Sequence, residues 1–377
     1  MSESVQPLPW IRSARFDAAL IVGPAFAATA LALFGPSFLG LGGDQGAVSP
    51  WAWFLVVVGI DVSHVYASLY RTYLDPEEFS RRRVHYLLTP LACWGGGVLL
   101  YGAGSWVFWR VLAYLAVYHF LRQQFGFVMV YRHRAGERGA FDRRLDKLTI
   151  YSAMLYPLVF WHADPERSFA WFLEGDFVEL PLWTARLAVW IYSAILGTFL
   201  LRQIQLWVGG KSLNLGKIGI VLSTASVWYV GIVFLNSDFA FTVTNVVAHG
   251  VPYIALIWVY GRNKWGRTET GWRRLFRPTG LVYFLGFLLL LGYLEEGLAD
   301  LLVWHEHGMF FGSLPQVYLS NSMLTLVVPL LTVPQATHYI LDAWIWKFDG
   351  SNPDLREHLF GGVQSVNSAE SGSDTNE

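Results

Sequence analysis

Long apolar runs constrain this chain more than any other feature. Ten segments (18–41, 51–71, 86–103, 105–131, 148–163, 182–205, 217–236, 241–261, 278–297 and 319–346) are continuous or nearly continuous in apolar residues. An α-helix rises about 1.5 Å per residue, so roughly 20 residues cross the roughly 30 Å of bilayer hydrocarbon. The fifth segment is short, and the third and fourth nearly merge. A closed β-barrel is the other structure that satisfies its backbone in lipid, but its strands alternate over about ten residues. Continuous runs select helices. The expected fold is an all-α, polytopic transmembrane helix bundle of about 10 spans. The 377 residues are 54% apolar and only 15% charged, where soluble domains carry about 25% charged residues.

Basic residues test the span count independently, because cytoplasmic loops concentrate Lys and Arg. Of the 27 Lys and Arg, all but four lie ahead of the first span or at and after the ends of the even-numbered spans. The four are Arg167 in an opposite loop and Arg110, Arg122 and Arg186 within spans. This parity puts both termini in the cytoplasm. The opposite loops are acidic, with Asp44, Asp164, Glu166, Glu174, Asp176, Glu179, Asp238, Glu295, Glu296, Asp300 and Glu306. Trp51, Trp53, Trp106, Trp109, Trp183, Trp344 and Trp346 sit near span ends, as an interfacial belt does. The expected organisation is a cytoplasmic segment 1–17, one bundle over 18–347, and a cytoplasmic, largely disordered tail over 348–377 that ends in GGVQSVNSAESGSDTNE. The expected location is a bacterial inner (plasma) membrane.

Other classes are excluded by what is scarce. The net charge is −1, so no global basic excess exists to neutralise nucleic-acid phosphates. One cysteine, Cys93, permits no intramolecular disulfide and no thiolate cluster. The N-terminus lacks the basic and apolar regions of a signal peptide.

Ionisable groups inside a bilayer are costly and mark function by default. Asp61 and His64 share a face of the second span, at i and i+3. His119, Arg122 and Gln123 cluster on the fourth, Asn245 and His249 on the eighth, and His338 and Asp342 on the tenth. Taking each span's midpoint as reference, the four histidines fall within roughly 10 Å of one depth. Their helices run in the same direction, so they converge if the helices adjoin. Imidazole suits iron, copper, zinc and nickel, and helix bundles hold metals with His and carboxylate side chains spaced one turn apart. Asp61 and Asp342 are candidate catalytic residues, as ligands or as acceptors that orient an imidazole. Arg122, Gln123 and Asn245 are candidates for substrate binding or for supporting the ligands. A buried pairing with an acid or amide is expected for Arg122, and snorkelling to the interface for Arg71. Gly250 and Pro252 in AHGVPY suggest a kinked eighth helix. The pair His305 and His307 in WHEHG is a weaker metal signal.

H-E-x-x-H, Walker, dinucleotide-binding and haem-attachment motifs are absent, as are the clustered histidine boxes of membrane desaturases. The dispersed pattern of one histidine per helix, in DVSHVYA, YHFLRQQFG, VVAHGVPY and THYILDAWIWK, resembles the Brp/Blh family of membrane β-carotene dioxygenases. The resemblance covers at most about a fifth of the chain. It implies an iron held by His64, His119, His249 and His338 from separate helices. The leading expectation is a non-haem iron oxidoreductase acting on a lipophilic small molecule that enters from the bilayer, served by an electron donor. A zinc-dependent intramembrane lipid hydrolase, with Asp61 or Asp342 as base, is the alternative. A proton-coupled transporter using Asp–His pairs is the third reading.

Overall fold

The computed structural model describes residues 10–39, 46–164, 166–312 and 317–361. These residues are helical with no strand, as the apolar runs require. Ten long helices follow the ten runs. They are α1 (Ala14–Ser37), α2 (Pro50–Arg71), α3 (Arg83–Ala103), α4 (Ser105–Arg134), α5 (Ala140–Ala163), α6 (Leu182–Val208), α7 (Leu215–Phe234), α8 (Asp238–Trp265), α9 (Pro278–Trp304) and α10 (Asn321–Ile345). Eight of them are long and apolar enough to cross a membrane. The exceptions are α4, whose interior carries Arg110, His119, Arg122, Gln123 and Gln124, and α5, which begins with the charged residues Asp142, Arg143, Arg144, Asp146 and Lys147. The expected loop residue Asp44 and the tail beyond Gly361 lie outside the described residues.

Burial sorts the helices into layers. α8 is the central element, with 78% of its apolar window buried, whereas α3 and α6 bury only 11% of theirs. Large apolar side chains on the outer helices project outward, among them Leu99, Trp190 and Val282. In water this would be a severe liability; facing lipid tails it costs nothing. The tryptophans expected near span ends differ in exposure. Trp51, Trp106, Trp183 and Trp344 are exposed, but Trp109 is buried against Phe172 and Trp304.

α8 approaches α2 closely because position 250 has no side chain. A Cβ there would lie 2.6 Å from Ile60 Cγ2 and 3.2 Å from the Ile60 carbonyl oxygen. Gly250→Ala is therefore expected to destabilise the bundle by about 1–3 kcal/mol, read as a lowered thermal midpoint in detergent. An unchanged midpoint would show that the two helices separate freely. Pro252 also leaves its mark on α8. It cannot donate to the carbonyl of Ala248, four residues back. Two glutamines of α4 supply donors instead: Gln124 Nε2 lies 3.5 Å from the Ala248 oxygen and Gln123 Nε2 lies 2.9 Å from the His249 oxygen. The helix continues unbroken through Gly250 and Pro252.

The basic end of the bundle is closed by buried ion pairs rather than by snorkelling cations. Arg71, 2% exposed, pairs with Glu78 at 3.1 Å and reaches Asn352 at 3.3 Å. The expectation of a snorkelling Arg71 fails because the helical turn Pro76–Arg81 folds back and brings Glu78 under it. Glu78 also accepts from Arg81, Arg82 and the Tyr86 hydroxyl. A second cluster joins Asp146 to Arg132 and Lys217. Part of the expected tail belongs to this end. Leu355 and Leu359 of the helix Leu355–Phe360 are 1% exposed, and Asn352 is bonded to the Trp344 and Lys347 carbonyls. The apolar face of that short helix, hidden behind charged neighbours in the sequence, is what draws 348–361 onto the bundle.

Candidate metal centre

α2, α4, α8 and α10 each deliver one histidine to a common point in the core. His64, His119, His249 and His338 are all 1–3% exposed. Each offers a ring nitrogen, and these four nitrogens lie within 4.8 Å of one another. The rings form a closed circuit. Centroids are 4.6 Å apart for His64 and His249, 4.9 Å for His249 and His119, 4.7 Å for His119 and His338, and 5.0 Å for His338 and His64. Neighbouring rings are steeply inclined, at 64–90°. Edges rather than faces therefore converge, as ligation requires.

Local backbone explains the convergence. The stretch Phe54–Val62 of α2 is wound as a π-helix, and the Ser63 hydroxyl donates to the Val58 carbonyl at 2.8 Å. The wider winding offsets the turn that follows and carries His64. His249 is set by the glutamine-bridged turn around Pro252. Phe120 stacks on its ring at 3.8 Å, and Tyr339 stacks on His119 at 4.7 Å.

The cluster's polar atoms are short of partners. Nδ1 of His64 and His249, Nε2 of His119 and both ring nitrogens of His338 are buried without a hydrogen bond. An unsatisfied buried polar atom costs about 1–3 kcal/mol; a neutral imidazole carries one lone pair and one N–H, so a metal can take up one nitrogen per ring and leave the N–H groups to acceptors such as Asp61 and Asp342. The exception supports the same view. His64 Nε2 and His249 Nε2 face each other at 3.1 Å. Two nitrogens each bound at about 2.1 Å to one ion would lie about 3.0–3.4 Å apart. The donor set therefore fits a transition metal.

The two candidate aspartates sit around this circuit. Asp61 Oδ1 is 3.6 Å from His64 Nδ1. Asp342 is 3.7 Å from His338 Nδ1 and 4.0 Å from His119 Nε2. The Tyr253 hydroxyl donates to Asp342 at 2.7 Å, and its ring meets the edges of both His64 and His338. Sequence reasoning missed Tyr253; its position one turn beyond His249 was the available signal. Gln123 holds the His249 carbonyl. Asn245 donates to the Phe241 carbonyl and leaves its Oδ1 unpartnered. Arg122 departs from expectation: it is exposed, has no acid partner among the described residues, and lies over the Phe125 ring at 5.8 Å. Its side chain lies over a ring of its own helix instead of pairing with an acid or amide among the described residues.

Two cavities flank the cluster. The larger, about 1090 Å³, lies toward the acidic end and reaches Asp61, Asn245 and Tyr339. The smaller, about 120 Å³, runs from His119 and Asp342 past Arg122 and Phe127 to Lys347 at the basic end. Tyr118, on its wall, is 57% exposed, so this cavity reaches the outer surface of the bundle.

The other histidines have separate settings. His307 stacks on Trp53 at 3.5 Å and His305 packs near Tyr318. Among the described residues they join no third ligand. His85 lies on Trp344, His133 against Phe348 and Phe360, His358 against Tyr260, and His162 bonds the Leu158 carbonyl and Tyr114.

Carboxylates near ligating imidazoles typically tune metal affinity tenfold to a hundredfold. Asp342→Asn is expected to weaken metal binding within that range, measured by competition with a chelator of known affinity. Unchanged affinity would remove Asp342 from the support of the ligands. Compared with known proteins, the chain matches no family profile, no curated protein and no solved structure.

Proposed function

We propose that the protein is a metal-dependent oxidoreductase of the membrane, of the non-haem iron oxygenase type, acting on a lipophilic small molecule. The observation that carries this reading is the circuit of four buried imidazoles from four helices, with ring nitrogens left unpartnered in the core. His64, His119, His249 and His338 would hold the metal. An all-nitrogen, neutral ligand set suits a redox-active ion such as iron. Bound iron would supply electron exchange with O₂.

The chain's own residues define the rest. Tyr253 and Asp342 hold the His338 side of the circuit. Phe120 and Tyr339 exclude water from the imidazole faces. The small cavity supplies the approach from the bilayer: Phe127, Val130 and Leu256 line it with apolar surface, and Arg122 and Lys347 meet the substrate's polar end. Ten spans, with both termini at the basic, cytoplasmic end, complete the proposed topology in a bacterial inner membrane. The resemblance to the Brp/Blh-type dioxygenases points the same way and rests on the four histidine segments alone.

The zinc-hydrolase reading has one observation of its own: Asp342 stands within 4.0 Å of two ring nitrogens, where a base would stand beside a metal-activated water. Isotope labelling separates the two. The iron-loaded protein, incubated anaerobically with membrane lipid extract and then with ¹⁸O₂, is expected to consume O₂ and to yield product carrying ¹⁸O. Product labelled only from H₂¹⁸O, without O₂ uptake, would establish the hydrolase instead.

A further inference from the structure

The larger cavity is unlike the rest of the core in charge. Six carboxylates line it: Glu174, Asp238 and Glu306 toward the acidic end, Glu295 and Glu296 further in, and Asp61. The one arginine on its wall, Arg167, is paired with Asp164 at 2.8 Å. Glu295 accepts from the Tyr66 hydroxyl. Neither Glu296 nor Asp61 has a Lys or Arg partner among the described residues. Three carboxylates around one recess in a membrane bundle, with no Lys or Arg paired to them among the described residues, form an oxygen-rich lining whose protons a cation can replace.

A second observation indicates what that lining is for. The Asn245 side chain, 4% exposed, lines the same cavity and leaves Oδ1 without a hydrogen-bond partner. An amide oxygen beside carboxylates is a donor set for a cation. Asn245 stands one turn from His249, and Asp61 stands 3.6 Å from His64 Nδ1. Two residues of the cavity's lining therefore stand next to two of the four imidazoles, though none of the four lines the cavity itself.

We propose that a divalent metal ion reaches the histidine circuit from the acidic end, through this cavity. Glu295 and Glu296 draw it in, and Asp61 and Asn245 pass it to His64 and His249. The small cavity on the opposite side is left to the lipophilic substrate. Hard oxygen ligands hold a borderline metal less tightly than imidazole does, so the ion descends from a weak, hydrated site to a strong one. The proposal rests on the reading of the four histidines as a metal site.

The test uses Co²⁺, whose visible absorption reports ligation by imidazole. Metal is removed from the full-length protein in detergent with a chelator, Co²⁺ is added, and the rate and final amplitude of the absorption are recorded. Glu295→Gln/Glu296→Gln is expected to load at least tenfold more slowly and to reach the wild-type amplitude, because the carboxylates that exchange a proton for the ion are gone. Glu296→Lys is expected to be slower still. Wild-type rates at full amplitude in both variants would overturn the route and leave the metal site standing. Failure of the wild-type protein to bind Co²⁺ would overturn both. Wild-type protein in sealed vesicles gives a check that no misfolded variant can confuse. Co²⁺ added at the acidic side, with chelator trapped at the other, is expected to load the site. Loading only from the basic side would contradict the route.

Discussion

Replacing His249 by Ala is expected to abolish stoichiometric metal binding and, with it, the stabilisation that metal confers. A ligand that binds only the folded state stabilises it by about 4 kcal/mol at a thousandfold excess over its Kd. The thermal midpoint of the wild-type protein should therefore climb with added metal, and that of His249→Ala should not. The same result is expected for His64→Ala, His119→Ala and His338→Ala, because the four rings form one circuit with no spare member. Without metal the variants are expected to melt close to the metal-free wild type, since each removes unsatisfied nitrogens as well as packing. If all four variants kept wild-type metal content, the histidines would be a hydrogen-bonded core.

Glu78→Ala is expected to produce a different failure. Glu78 is 1% exposed and accepts from Arg71, Arg81, Arg82 and Tyr86. Its removal leaves Arg71 buried at 2% exposure with Asp75 at 4.0 Å as its nearest carboxylate. Breaking a buried pair from one side costs about 3–5 kcal/mol. The expected outcome is a sharply lowered thermal midpoint with unchanged metal content in whatever remains folded, measured by melting in detergent and by metal analysis of the monodisperse fraction. This would separate the two kinds of buried polar group: ion pairs at the basic end that hold the bundle shut, and imidazoles in its centre that are proposed to hold a metal. Loss of metal without loss of stability would reverse those assignments.

The contrast between these sites also shows what a sequence of this kind reveals. Helices are legible because lipid accepts little else, and the ten apolar runs map onto ten helices with ends displaced by up to eight residues. The histidines are legible because polar groups are rare at mid-depth and four fell at one level. Partners fixed by loop return are not legible. Arg71 reads as a cation at an interface until the turn at Pro76–Arg81 places Glu78 beneath it. Arg122 reads as a buried partner because helical position alone does not say which way a long side chain extends. The π-winding before His64, the glutamine bridges to the Ala248 and His249 carbonyls, and the Tyr253–Asp342 bond all depend on neighbours far away in the chain. Acidic residues near one end of α9 likewise read as loop charges, whereas Glu295 and Glu296 line a cavity that reaches the core.

Metal analysis of the wild-type protein, purified in detergent without chelator and measured by mass spectrometry, tests the central claim most directly. The account predicts a transition metal, iron above all, near one per chain and reduced to background in His119→Ala and His249→Ala. Zinc at that stoichiometry would keep the site and transfer the chemistry to hydrolysis. No stoichiometric metal, even after reconstitution with Fe²⁺ and Zn²⁺, would contradict the metal centre itself.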